Sequence, residues 1–257
     1  MLLEAIIIIV TIFIIAIAFY KQTNPEYKIL QVEEGDLTKI PPLISELSPI
    51  VIRGFKTPQF WTKDDIAARP RLQQIPLIYK GFEPISLADA ATNDSLILPK
   101  SPSATAELLA LESGVQVWAE HSVIPSFSEL WYSRALQIRS KALIGEQGLQ
   151  ETTAFLTFIM PTEEDIQVTL LHKKQFAFCP EDWQSTVPST WTKANTPLVG
   201  EIQFIDIIIR KGSLLALPPH WRWACVTITP ESPKKPMVVL LELNHPISTI
   251  AAWSTSS

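Results

Sequence analysis

The sequence predicts a mostly β domain, a sandwich or a barrel with helices in its first half, behind one hydrophobic N-terminal helix. Residues 5–20 carry no charged side chain, which predicts the hydrophobic helix. The second half contains short β-branched and aromatic runs separated by Pro, Gly or charged residues, a pattern typical of strands joined by turns. The 21 prolines are spread along the chain. Because proline ends helices and cannot donate into a sheet ladder, this spread favours many short elements.

The N-terminal run AIIIIVTIFIIAIAFY, residues 5–20, predicts a membrane anchor. A helix of this length spans about 24 Å, close to the roughly 30 Å of a hydrocarbon core. We therefore expect residues 1–22 to be a transmembrane anchor and residues 23–257 to be one globular domain. A cleaved signal peptide is an alternative, because residues 16–18 (AIA) have the small-x-small pattern of a cleavage site. A buried core segment is a third interpretation.

The charged residues and the two cysteines indicate in which compartment the domain lies and which partners it does not bind. Lys21 and Lys28 follow the hydrophobic run and no basic residue precedes it, which predicts a single-pass protein with a cytosolic domain. The net charge of −5 argues against a nucleic-acid partner. Cys179 and Cys225 have no metal-ligand spacing, which excludes a cysteine zinc site and a disulfide-dense scaffold. We expect two buried free thiols, with a single disulfide as the alternative.

The elements of the domain follow in chain order. YKILQVEEGD and SPIVIRGF predict strands on either side of Pro41-Pro42. Helices are expected after Thr62, over residues 103–111 with an end near Gly114, and over residues 126–144. The second half contains seven predicted strands: TTAFLTFIM, DIQVTLL, KQFAFCP, EIQFIDIIIR, GSLLALPP, WACVTIT and MVVLLELN.

Three segments resemble the cupin-like, JmjC-related domain of the asparaginyl-hydroxylase type. Residues 49–55 (PIVIRGF) are similar to its opening "PVVIRG" strand, and residues 172–182 (HKKQFAFCPED) resemble its "G-x-K-x-F-x-L-x-P-P-E-D" segment. Residues 211–223 (KGSLLALPPHWRW) resemble "PGDxLxIPPxWWH". The resemblance covers residues 28–245. It implies a double-stranded β-helix, that is, a cupin or jelly-roll barrel, preceded by helices.

The same resemblance implies that the metal motif of the family is degenerate here. Active members bind Fe(II) through a His-x-Asp/Glu pair and a distal His, which leaves positions open for 2-oxoglutarate and oxygen. The distal position falls on Trp223, whose indole cannot ligate a metal. The upstream pair falls within residues 152–161 (TTAFLTFIMP), which contain no His, Asp or Glu. We therefore expect no metal, no cofactor and no catalytic residue.

Alternative sites remain open at this point. Lys174 stands where some relatives bind the 2-oxoglutarate carboxylate, although a solvated turn lysine is the simpler interpretation. His220 with Glu163, Glu164 or Asp165 is a candidate for a non-standard metal site. The simpler interpretation is that the four histidines are structural or lie on the surface: His121, His172, His220 and His245. Trp221 and Trp223 are expected to line a pocket or to pack in the core.

The function expected from these observations is that of a membrane-anchored, non-catalytic barrel that acts as a binding or structural module. Its protein partner or small ligand is not given by the sequence. One alternative is an Fe(II)- and 2-oxoglutarate-dependent oxygenase with relocated ligands. Another is a structural component of a membrane-associated or viral assembly.

Overall fold

A computed structural model describes Thr11 and residues 28–33, 37–55, 68–77, 83–92, 103–128, 130, 133–194, 196–228 and 237–245. The predicted anchor, except for Thr11, and the predicted helix after Thr62 lie outside these residues. Among the residues that are described, no helix combines the length and the apolarity that crossing a membrane requires.

The described residues form twelve strands and four α-helices. The strands are β1 Leu30–Val32, β2 Ile50–Ile52, β3 Pro76–Leu77, β4 Ile85–Ser86, β5 Gln137–Ile144, β6 Gln147–Glu151, β7 Leu156–Pro161, β8 Ile166–His172, β9 Ile205–Ile209, β10 Leu214–Leu217, β11 Trp221–Thr227 and β12 Met237–Asn244. The helices are α1 Pro70–Gln73, α2 Leu87–Thr92, α3 Ser103–Glu112 and α4 Val115–Ser122. Short 3₁₀ turns connect them at Leu37–Lys39, Pro41–Glu46, Ile124–Phe127, Ser133–Ala135, Lys173–Phe178, Trp183–Ser185, Pro188–Thr190 and Val199–Glu201.

The strands form two main sheets. The larger has six strands in the order β1-β2-β10-β7-β12-β5, and the smaller has four in the order β6-β11-β8-β9. The last eight strands pair in a nested, antiparallel way: β5 with β12, β6 with β11, β7 with β10 and β8 with β9. The chain therefore folds back on itself strand by strand, which brings β11 into the middle of the smaller sheet.

Apolar side chains lie on both faces of each sheet. The core between the sheets takes residues from both, among them Ile159, Leu215, Leu240, Val168, Leu170, Trp223 and Cys225. Helices α3 and α4 cover the other face of the larger sheet, where Leu109 and Ala119 join a cluster with Phe158 and Leu241. The chain between β8 and β9 covers the other face of the smaller sheet through Trp191 and Ile202. Both sheets are thus covered by other parts of the chain.

The prediction of a mostly β fold with helices in the first half is confirmed, but two elements were predicted wrongly. The described residues of the predicted helix over 126–144 form turns followed by β5, because Ile138, Ser140 and Ala142 alternate inward and the whole strand pairs with β12. The predicted strand KQFAFCP is a 3₁₀ turn, Lys173–Phe178, because β8 ends at His172, whose Nδ1 accepts the Lys174 N–H at 3.3 Å. The other six predicted strands of the second half correspond to β7–β12.

Candidate functional site

The candidate site is the position of Trp223 on β11, where the resemblance would place the distal iron ligand. Trp223 lies opposite Gln150 of β6 on one side and opposite Leu170 of β8 on the other. Its side chain is 1% exposed and belongs to the core between the two sheets. The indole therefore fills the space between the sheets at this point of β11. The neighbouring Trp221 is also buried in this core.

The strand that pairs with Trp223 on this side is not the one in which the resemblance places the upstream ligand pair. The resemblance places that pair within residues 152–161, and β7, which holds most of these residues, lies in the larger sheet between β10 and β12. The strand that pairs with β11 on this side is β6, and the pairing register shifts between Trp223 and Cys225. No strand was predicted over Gln147–Glu151, because the pairing of β6 with β11 is non-local and the local sequence does not specify it.

Side-chain amides occupy β6 beside Trp223. Gln147 is fully buried, and its Nε2 donates to the carbonyl oxygens of Gly145 at 3.1 Å and Ile144 at 3.3 Å. The Gln147 Oε1 accepts a hydrogen bond from Gln150 Nε2 at 3.3 Å. An Fe(II) facial site takes two imidazoles and a carboxylate. Two amides and an indole do not supply these donors, so the residues at this position do not fit the iron of the enzymes that the sequence resembles.

The alternative ligand set does not converge either. His220 immediately precedes Trp221, which pairs with His172 at one end of β8. Asp165 immediately precedes Ile166, at the other end of β8, and its Oδ1 accepts the Lys211 N–H at 2.9 Å. Six strand steps of about 3.3 Å separate the two ends by about 20 Å. His220 therefore cannot share a metal ion with Asp165. In the described part of the chain, no three His, Cys, Asp or Glu side chains come close enough to hold a metal.

Thr152 joins the end of β6 to the start of β11. Its buried Oγ1 accepts the Trp221 N–H at 3.0 Å and donates to the Pro218 carbonyl oxygen at 2.8 Å. Its backbone carbonyl accepts the His220 N–H at 2.8 Å. These bonds hold His220 in the left-handed region, at φ 65°. The result is an exposed imidazole, whose Nδ1 lies 3.8 Å from Glu151 Oε1.

A buried charged group near the site, Arg222, was not among the site residues predicted from the sequence. It alternates with Trp221 and Trp223 and so points to the opposite face of the smaller sheet. Its Cζ lies 3.5 Å from the centre of the Phe176 ring and 3.7 Å from that of Trp183, and the residue is 8% exposed. Glu151 Oε2 is 3.6 Å from its Nε. Stacking between two rings ties the turn that follows β8 onto the sheet.

Charge and burial set the chemistry of the neighbouring groups. Burial raises the pKa of the Cys179 thiol, and the charge of Arg222 and its hydrogen bond oppose that rise. Burial lowers the pKa of His172, and Lys174 and Lys173 lower it further. The His172 ring packs edge-on against Trp221, with 5.0 Å between ring centres. A neutral imidazole and protonated thiol are thus favoured here.

The remaining predicted residues lie apart from Trp223. Lys174 is exposed in the turn after β8, whereas the inward positions of β8 are Ile166, Val168 and Leu170. His121 is exposed in the last turn of α4, and His245 follows β12. Both cysteines are free thiols, Cys225 buried and Cys179 half-buried. A signal for Arg222 was present in the sequence, as a single charge inside the apolar run WRWACV.

No protein-family model matches this chain, and no curated protein sequence matches it either.

Proposed function

We propose that this chain is a membrane-anchored, non-catalytic barrel related to the JmjC-type domains, and that it acts as a binding or structural module. The observation that carries the proposal is Trp223. An indole with 1% exposure stands between the sheets at the position of the distal iron ligand, and its cross-strand neighbour is Gln150. In this proposal, Trp223 packs in the core at the position where related enzymes would coordinate the metal.

The nested strand pairing supports the fold assigned in this proposal. Pairing the first strand with the last, the second with the seventh and so on is how a jelly roll is built from eight strands. The proposed double-stranded β-helix consists of β5–β12. β1 and β2 extend its larger sheet, and the helices cover that sheet from outside.

In the described residues the side chains between the two sheets are apolar and buried, which favours partners that bind on the outside of the proposed module. Trp221, Trp223 and Cys225 belong to the same core as the aliphatic side chains of the larger sheet. A small-molecule site normally needs a cleft with a few converging polar groups. The buried Gln147 amide, which would be one such group, is already bonded to the Ile144–Gly145 turn and to Gln150.

The metal test uses the full chain purified in detergent micelles. Bound iron, manganese and zinc are measured by mass spectrometry, and 2-oxoglutarate is titrated by calorimetry. We expect no stoichiometric metal and no heat of 2-oxoglutarate binding. Stoichiometric metal together with 2-oxoglutarate binding would overturn the proposal. In that case the variant His220→Ala identifies whether the His220–Glu151 pair holds the metal, and His121→Ala, an exposed imidazole on α4, is the matched control.

The anchor is tested on membranes from cells that express the full chain. We expect the chain to stay in the pellet after alkaline carbonate extraction, and a variant without residues 1–22 to appear in the soluble fraction. Recovery of the uncleaved full chain in the soluble fraction would contradict the anchor.

A further inference from the structure

The smaller sheet ends at β9, whose outer edge is open in the described part of the chain. On one side β9 pairs with β8 over its whole length, from Ile205 to Ile209. On the other side, no hydrogen bond from a described residue reaches its backbone. An open edge presents a row of unpaired N–H and C=O groups that can pair with another strand. Ile208, in the middle of this edge strand, is 57% exposed.

Two other sheet edges are covered by groups of the same chain. At the edge of β5, Gln116 of α4 accepts the Ser140 N–H through Oε1 at 2.9 Å and donates from Nε2 to the Ile138 carbonyl at 2.8 Å. At the edge of β6, the Leu149 N–H donates to the Thr186 carbonyl at 3.2 Å. Proteins cover edges in this way to prevent unwanted strand pairing. Of the four edge strands of the two main sheets, β5 and β6 are covered in this way, whereas no hydrogen bond from a described residue covers the outer side of β1 or β9. β9 is the longer of these two open strands, with five residues against three.

The residues of β9 indicate which strand fits. Asp206 and Ile208 are exposed and alternate on β9, so they share one face, and the exposed Arg210 follows directly after the strand ends at Ile209. Two copies of β9 can pair antiparallel about a two-fold axis that lies between their Ile208 residues. In this register, Ile208 of one copy is opposite Ile208 of the other. Continued one residue past the end of β9, the same register places Asp206 of each copy opposite Arg210 of the other, in two symmetry-related pairs of opposite charge. The strand is therefore complementary to itself.

The Asp206 carboxylate is fixed on the face of the sheet by a bond to the neighbouring strand β8. Its Oδ1 accepts a hydrogen bond from Thr169 Oγ1 of β8 at 2.6 Å. A carboxylate fixed on the sheet face loses less side-chain freedom on pairing than a mobile one would.

We propose that two copies of this chain pair edge to edge through β9, antiparallel and centred on Ile208, so that their smaller sheets form one continuous eight-stranded sheet. The proposal does not depend on the loss of the metal site. A monomeric chain would leave the expectation about metal and 2-oxoglutarate unchanged, and metal binding would leave the dimer unchanged.

Charge reversal tests the register. The full chain in detergent micelles is examined by sedimentation velocity, with the detergent contribution subtracted, and a dimer is expected. Asp206→Arg and Arg210→Asp each turn two attractive cross-strand pairs into repulsive ones, which should raise the dissociation constant about tenfold or more. The double variant restores both pairs and the dimer. A mixture of the two single variants should form a heterodimer, because one variant then has two positive and the other two negative side chains at positions 206 and 210. Glu201→Arg, an exposed charge before β9, is the matched control and leaves the dimer unchanged.

Cross-linking gives a readout that does not depend on charge. Ile208→Cys should form a disulfide between two copies under mild oxidation, because opposite Cα atoms of antiparallel strands lie about 4.5–5.5 Å apart. Val117→Cys, at an exposed apolar position of α4, should not. A monomeric wild-type chain overturns the proposal, and that is the outcome expected if the strand that fits β9 belongs to another protein. A dimer that neither charge reversal nor cross-linking at position 208 affects overturns it as well.

Discussion

Trp223 lies directly opposite Gln150 in the antiparallel pair of β11 and β6. The partner on the other side is Leu170, so both neighbours of Trp223 in the sheet carry uncharged side chains. An indole in this environment contributes through burial and packing, since a metal ion would need imidazole or carboxylate donors. The centre of the smaller sheet is therefore organised as core, and its residues should respond to mutation as core residues do.

Replacing Trp223 by Ala should lower the free energy of unfolding by about 3–5 kcal/mol, because it removes a fully buried aromatic side chain and leaves a cavity. Denaturant unfolding followed by far-UV circular dichroism measures the loss. Trp223→Phe is the matched variant and should lose less, since an aromatic ring remains. A loss below about 1 kcal/mol for Trp223→Ala would contradict the packing role, because that is the range of surface substitutions.

Replacing Arg222 by Lys should destabilise the turn after β8, although the charge is kept. A guanidinium is planar and stacks on aromatic faces, whereas an ammonium cannot stack between Phe176 and Trp183. The loss should be on the order of 2 kcal/mol, the size of a desolvated cation–π contact. Proteolysis within residues 173–185 of the folded protein measures it. Arg139→Lys, at an exposed arginine that pairs weakly with Glu107, is the control and should change little.

The Cys225 thiol should make stability fall at alkaline pH. Burial raises its pKa from 9.0 to about 12, so the folded state holds the proton more tightly than the unfolded state does. The thiol is protonated in both states well below pH 9, and the loss of stability grows as the pH rises through 9 towards 12. Relative to Cys225→Ala, the wild-type protein should lose up to about 1.4 kcal/mol of unfolding free energy per pH unit in this window. A difference between the two proteins that is constant from pH 8 to 11 would contradict the prediction.

The strands that could be predicted from the sequence are those whose alternation is strong and local. β8 is the clearest: Ile166, Val168 and Leu170 are buried, while Gln167 and Thr169 are only half-buried. The strand β5 could not be predicted, because QIRSKALI contains several good helix formers and its conformation depends on the eight-residue pairing with β12. That pairing includes a largely buried ion pair between Lys141 and Glu242, with 2.8 Å between the charged atoms. The two residues are 101 positions apart in sequence.

The residues of the candidate site also fall into those that could be predicted from the sequence and those that could not. Trp223 could be identified from its place after the Pro218-Pro219 turn, and one of the interpretations of the sequence put it in the core. The contact of Arg222 with Glu151 could not be predicted, because it depends on the register of β11 against β6. The stacking on Phe176 could not be predicted either, since it depends on the 3₁₀ turn that replaces the expected strand.

Thr152→Val should destabilise the junction between β6 and β11 by about 1–3 kcal/mol, because Val keeps the shape of the side chain but leaves buried polar groups without their partner. The Thr152 hydroxyl is the group that bonds the Trp221 N–H and the Pro218 carbonyl oxygen. Thr157→Val is a matched control, since the buried Thr157 hydroxyl has no hydrogen-bond partner among the described residues and the same substitution there should be neutral or stabilising. Thermal unfolding of both variants measures the difference. Equal effects at the two positions would show that the hydroxyl of Thr152 does not hold the turn that carries His220.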